Sequence, residues 1–219
     1  MTVSPPRILP DCEAARDEAV ELLRAGLIVA VPTDTVYGIA ARWDSQAGVQ
    51  RLFASKGRVP QQPLAVIFPS VAAVLSWLPD LDTLSVRVME AFLPGPYTFV
   101  VATSVPRPPL VGTADSLGVR VPDHPTLLEF LASLGTPMAT TSANLSGGEE
   151  AWAAAEVEPS VLAHCSVAFT VARPAPEAGR PTASTVVDLL PLAHGDPPVI
   201  LREGAVGGAE TLRRISALW

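Results

Sequence analysis

The densest run of side chains able to do chemistry is Pro32-Thr33-Asp34-Thr35-Val36-Tyr37-Gly38. Thr33, Asp34 and Thr35 follow the apolar run Leu27–Val31, which reads as a buried strand. Pro32 ends that strand because it has no N–H for a sheet ladder. A hydroxyl-rich loop at the end of a buried strand suits a small polar ligand. A Thr/Asp turn capping the next element is an equal reading of the same residues. The second position is Lys56: of the 15 basic residues it is the one lysine, the others being Arg. Lys and Arg differ where a compact point charge must meet a phosphate, which favours a phosphate-facing role. A cation facing a helix C-terminal dipole is the competing reading. Third, Ser116-Leu117-Gly118-Val119-Arg120-Val121 alternates, so that Ser116, Gly118 and Arg120 share one strand face. Arg beside Gly leaves room for a ligand and supplies a fork for carboxylate or phosphate; an edge-strand Arg in solvent is the alternative. Thr140 and Ser142 share a face by the same period, just before Asn144.

Other catalytic groups are scarce. His124, His164 and His194 are far apart, and His124, in Pro122-Asp123-His124-Pro125, reads as a turn residue. The sequence contains no zinc spacing, P-loop, G-x-G-x-x-G or G-x-S-x-G elbow. The remaining inventory is hydroxyls, amides and a few cations on strand-end loops. It suits positioning and electrostatic stabilisation of a phosphate-bearing substrate, and equally a nucleotide-binding module.

The elements that must position these groups alternate. Helices are expected over Asp11–Arg24, from Ser45 to about Lys56, over Ser70–Leu78, Thr83–Phe92 and Thr126–Leu134, through most of Glu149–Ala163, and from about Gly208. Strands are expected at Leu27–Val31, Leu64–Phe68, Tyr97–Ala102, 116–121, from Met138, at Val167–Val171, Ser184–Leu189 and Pro198–Arg202. Pro94-Gly95-Pro96 reads as a rigid corner, and Arg173–Thr182 as a loop or lid. The pattern is α/β: a twisted mixed sheet with flanking helices. One domain is expected over 1–219, with a core at about 11–206 and a C-terminal helix at about 208–218. At 219 residues, 48% apolar, the chain can bury a proper core. Its N-terminus lacks the apolar core of a signal peptide, and no apolar run is long enough for a membrane span. Cys12 and Cys165 have no redox or metal spacing, which fits a reduced, cytoplasmic protein. The net charge of −7 argues against a general nucleic-acid coat while leaving room for a local basic pocket.

Seven motifs in order resemble the YrdC/TsaC family of threonylcarbamoyl-AMP synthases. They are the Pro32–Gly38 loop, Lys56-x-Arg58, Pro94-Gly95-Pro96-x-Thr98, Val119-Arg120-Val121-Pro122, Ser142-Ala143-Asn144-x-Ser146-Gly147, Ser184-Thr185-Val186-Val187-Asp188 and Leu201-Arg202-x-Gly204. The resemblance covers roughly residues 11–206 and implies a YrdC-like fold around a concave groove. It implies condensation of L-threonine, CO2 or bicarbonate and ATP to threonylcarbamoyl-AMP with release of pyrophosphate, for t6A modification of tRNA at adenosine 37. By resemblance, Lys56 and Arg58 lie on the ATP phosphates as the catalytic cations. Gln62, Ser116, Ser142, Asn144 and Arg202 complete the ATP set. Thr35, Arg120, Thr140 and Ser184 hold L-threonine, with Arg120 on its carboxylate. Mg2+ is implied with ATP, held through phosphates and water rather than by protein ligands. A transient contact with the t6A transferase complex and a weak tRNA contact are implied partners. Three departures stand out: Gln62 where an Asn is usual, Ile67 where some members place a His, and Gly148-Glu149-Glu150 where the loop is usually rich in Ser, Pro and Thr. A YciO-like paralogue, or an RNA- or nucleotide-binding module without synthase activity, is the alternative.

Overall fold

A computed structural model describes residues 7–10, 12–56, 63–145, 147–170 and 182–218. The chain runs β1 (Arg7–Pro10), α1 (Glu13–Arg24), β2 (Val29–Val31), β3 (Gly38–Arg42), α2 (Gln46–Ser55), β4 (Ala65–Ile67), α3 (Val71–Trp77) and α4 (Thr83–Phe92). It continues β5 (Tyr97–Ala102), β6 (Ser116–Arg120), α5 (Pro125–Leu134), β7 (Met138–Ser142), α6 (Pro159–Leu162), β8 (Val167–Thr170), β9 (Thr185–Asp188), β10 (Val199–Arg202) and α7 (Gly208–Ser216). Ten strands form one sheet in the order β1-β8-β2-β3-β7-β4-β6-β5-β9-β10. Its pairings are mixed: β2–β3, β3–β7, β4–β7, β5–β6 and β9–β10 are antiparallel, and β1–β8, β2–β8, β4–β6 and β5–β9 parallel.

Local chemistry explains the helix boundaries. Ser45 accepts the Gly48 amide at 3.1 Å and starts α2, and Ser70 and Asp82 cap α3 and α4 in the same way. His124 is the N-cap of α5, its Nδ1 facing the Leu127 amide at 3.3 Å, with Pro125 in the first turn. Gly135 ends α5 at φ 71, and Gly26 follows α1 at φ 74, a left-handed conformation that costs glycine little.

The pleat sorts the side chains into two cores. On one face Ile28, Ile39, Val66, Phe99, Leu117, Val119 and Val187 pack with Leu52 of α2, Val88 and Met89 of α4 and Ile215 of α7. On the other, Val29, Val31, Ala40, Ile67 and Met138 lie under Ala15, Ala19 and Leu23 of α1 and Leu127, Phe130 and Leu131 of α5. These two helices cover only part of their face. Beyond them the sheet carries small or polar residues, of which Ala65, Gly118, Thr140, Ser142 and Val186 remain partly open.

Two expectations from the sequence need correction. The 149–163 stretch is not mostly helical: it holds a 3-10 turn at Ala154–Glu156 and the one-turn α6. Gly38–Arg42, not expected as a strand, is β3 and pairs along its whole length with β7. The expected lid, Arg173–Thr182, lies outside the described residues except for Thr182.

Candidate active site

The open part of the second face is where the polar groups gather, and strand register puts them there. Gly38 pairs with Ser142, and Ala40 with Thr140. Thr140 also pairs with Ala65, Ile67 with Arg120, Thr98 with Val186, and Val186 with Arg202. Because directly paired residues point to the same side, one surface spans β3-β7-β4-β6-β5-β9-β10. Small residues floor it. A Cβ on Gly118 would lie 3.3 Å from Ala65 Cβ and 3.4 Å from Thr98 Cγ2, and one on Gly38 would lie 3.1 Å from Thr140 Oγ1.

Lys56 sits at the C-cap of α2, so the helix-end reading of its position holds. Its side chain nevertheless reaches across to the end of β7. Nζ donates to Ser142 O at 2.6 Å, Asn144 O at 2.5 Å and Asn144 Oδ1 at 3.1 Å, with Ser142 Oγ at 3.4 Å. Ser142 Oγ donates to Asn144 Oδ1 at 2.6 Å, and Asn144 Nδ2 to Gly148 O at 2.7 Å. Half-burial lowers the Lys56 pKa to about 8, partly opposed by the charge of Glu150. The result is a partly desolvated ammonium held by oxygens that carry no formal charge.

Arg120 forms the second cluster. Its Nη2 donates to Thr35 Oγ1 at 2.6 Å, reaches Thr33 Oγ1 at 3.4 Å, and pairs with the Asp34 carboxylate. The Arg120 and Asp34 side chains are only 9% and 8% exposed. Thr33 Oγ1 donates to Val36 O at 2.7 Å and accepts the Thr35 amide at 3.2 Å, so the loop is braced from within. Two buried atoms of the ion pair, Arg120 Nε and Asp34 Oδ2, have no partner. A buried donor or acceptor left without a partner is costly.

Ser184 and Arg202 make the third cluster. Ser184 Oγ lies 2.7 Å from Thr98 Oγ1. Arg202 donates to Ser184 O from Nη2 at 2.8 Å and from Nε at 3.3 Å. Desolvation lowers the Arg202 pKa, the Glu150 charge raises it, and the Arg120 charge lowers it again.

The residues expected from the sequence therefore divide. Lys56 joins Ser142 and Asn144, Arg120 joins Thr35, and Ser184 joins Arg202; Thr140 lies on the same floor, its Oγ1 donating to Ile39 O at 3.2 Å. Ser116 stands apart. It is four residues along β6 from Arg120, about 13 Å at the usual strand rise, and its hydroxyl lies 2.7 Å from Thr113 Oγ1. Arg58 and Gln62 lie outside the described residues. The clusters also bring in Thr33, Asp34, Thr98 and Glu150, which the expected ATP and L-threonine sets do not include. Asp34 and Thr98 sit inside motifs already singled out, and Glu150 inside a departure from the pattern.

Comparison with known proteins gives the following. A family model for Sua5, YciO and YrdC, described as "Telomere recombination", matches residues 21–204. A protein of Chromohalobacter salexigens named threonylcarbamoyl-AMP synthase is 38% identical over 141 residues, 64% of this chain and 76% of its own length. One of the same name from Xanthomonas euvesicatoria is 34% identical, over 67% of this chain and 80% of its own. Among solved structures, Sua5 of P. abyssi complexed with L-threonine superposes with a TM-score of 0.80 at 27% identity, covering 96% of this chain and 60% of that one. YciO of E. coli superposes at 0.77 with 25% identity, covering 95% and 99%. This chain thus spans about three fifths of that Sua5 chain.

Proposed function

Since the chain belongs to the Sua5–YciO–YrdC family, we propose that it is an L-threonylcarbamoyladenylate synthase, joining L-threonine, CO2 or bicarbonate and ATP and releasing pyrophosphate. The observation that carries this reading is the joining of two unlike cation clusters on one open sheet face. One is a lysine held by neutral oxygens, suited to phosphate. The other is an arginine held on one nitrogen by the Asp34 carboxylate and the Thr35 hydroxyl, a guanidinium of the kind suited to a carboxylate.

The reaction asks for positioning rather than an enzymic nucleophile. Threonine's amine and CO2 form a carbamate; one carbamate oxygen bonds to the α-phosphorus of ATP as the bond to the bridging oxygen of pyrophosphate breaks. Lys56, with Ser142 and Asn144, would steady the phosphates as charge builds on the leaving group. Arg58, Gln62, Ser116 and Arg202 complete the proposed ATP set. Arg120, Thr35, Thr140 and Ser184 would orient L-threonine. Mg2+ would come with ATP, on the triphosphate oxygens and water, where it neutralises part of their charge. The product would pass to a transferase complex acting on adenosine 37 of tRNA, with transient contact to that complex and weak contact to tRNA. No helix among the described residues is long and apolar enough to cross a membrane. A reduced cytoplasm suits the unpaired Cys12 and Cys165.

The test is pyrophosphate release by the pure protein, with and without L-threonine and bicarbonate. Release that needs both supports the synthase. ATP bound without release points to a YciO-like paralogue or a binding module.

A further inference from the structure

Glu150 is tied into the site from two directions. Its Oε2 accepts the Ala183 amide at 2.8 Å, and Ala183 adjoins Ser184, whose carbonyl binds Arg202. Two residues before Glu150, Gly148 O is held by Asn144, which Lys56 grips in turn. The half-buried carboxylate thus sits on a strap between the Lys56 cluster and the Arg202 cluster, with no cation within ion-pair distance among the described residues. Its charge nevertheless acts on both, raising the pKa of Lys56 and of Arg202. A phosphate that meets the same two cations must enter a place where an anion already contributes.

We propose that Glu150 is an internal competitor for the phosphate groups of the nucleotide, its carboxylate offsetting the charge of Lys56 and Arg202 through space from its tie to Ala183, so that this one residue sets the affinity of the site for ATP. The proposal rests on the synthase reading only in placing phosphate beside Lys56. It goes beyond that reading in making the 148–150 strap a device that weakens nucleotide binding. It also gives the acidic departure at Glu150 a physical role. Removing one like charge from the neighbourhood of a bound polyanion, at partly exposed positions, strengthens binding about 3- to 10-fold, or ~0.7–1.4 kcal/mol.

The experiment is titration calorimetry of ATP and of inorganic pyrophosphate into the wild-type chain, E150Q and E150A. Glutamine keeps an acceptor for the Ala183 amide and removes the charge. E150Q should bind both anions about 3- to 10-fold more tightly, and its KM for ATP should fall in step. E150A, which also loses the tie to Ala183, separates charge from strap: tightening in both variants assigns the effect to charge. Unchanged or weaker binding in E150Q, with wild-type binding intact, overturns the competitor role and leaves the synthase reading standing. Wild type silent with E150Q binding supports the competitor in its strongest form. No binding by any of the three overturns the phosphate site itself, and the proposed function with it.

Discussion

Lys56 is charged at a cost that its ring of oxygens only partly offsets. Its ammonium faces two carbonyls and an amide oxygen, and desolvation takes its pKa from the ordinary 10.5 to about 8. Two pH effects follow, with opposite signs. In the free protein, the unfolded chain binds more protons than the folded one between about 8 and 10.5, so the contribution of Lys56 to stability rises with pH across that window. Phosphate binding needs the charged form, so ATP affinity should fall as pH climbs through about 8, with proton uptake on binding. Calorimetry at pH 7, 8 and 9, in buffers of different ionisation enthalpy, reads both the loss and the uptake; a flat affinity would remove Lys56 from the phosphates. Lys56→Ala should cost on the order of 10²–10³ in rate, measured as pyrophosphate release, and Lys56→Arg should not restore it because a planar fork does not fit the same carbonyls. Arg120 differs, because its removal strands a buried carboxylate. Arg120→Ala should destabilise the fold by about 3–5 kcal/mol, measured by urea unfolding, in addition to losing activity. Lys56 stands out in the sequence as a solitary lysine; alternation fixes the strand face of Arg120 but leaves open an edge-strand Arg in solvent, whereas the side chain is buried on a central strand. The partner of Arg120 was not legible, because a hydrogen-bonding Asp in a Thr-rich loop looks like turn chemistry until the fold brings β6 beside it.

At the scale of elements, capped and strongly patterned segments were readable and the short buried ones were not. Thr83–Phe92 and Tyr97–Ala102 match their expected bounds because an Asp cap and a Pro-Gly-Pro corner mark their starts. Gly38-Ile-Ala-Ala-Arg escaped notice because a central strand buried on both faces shows no alternation, and its Gly and Ala residues have low strand propensity. That strand is what turns the hydroxyl loop back and aligns Gly38 with Ser142. The 149–163 stretch misled in the opposite way: its alanines favour helix, yet the Ala151 carbonyl is spent on the Tyr37 amide at 2.7 Å, outside any helix. Another close approach gives a prediction. A Cβ on Gly204 would stand 2.4 Å from Ala183 O, Ser184 C and Thr185 N. Gly204→Ala must therefore push β10 off the 183–185 segment. A loss of about 1–3 kcal/mol is expected, and since Ser184 moves with that segment, KM for L-threonine should rise. A wild-type melting curve and KM for the variant would contradict this packing.

For the whole molecule, the polar surface is open because α1 and α5 stop short and the other helices serve the opposite face. The α/β class could be read from element order; the strand order could not, since neighbours such as β8 and β2, or β5 and β9, are joined only by long-range pairing. The C-terminal α7 closes the far end of the first core through Ile215, which is fully buried, while Arg214 reaches the Tyr97 hydroxyl at 3.1 Å and lies over the Phe92 ring. Ile215→Ala should cost about 2–5 kcal/mol, read from the urea midpoint, without changing substrate KM values in the folded fraction. The single lysine has a further, practical consequence. Besides the chain's α-amine, this protein offers amine-reactive reagents one address, half-buried and, with its pKa lowered to about 8, carrying more free amine near neutral pH than an ordinary lysine. An acylating probe would thus report the occupancy of one groove, nucleotide should shield it, and a lysine-specific protease would nick the chain after one side chain, giving a footprint of the site without any engineered label.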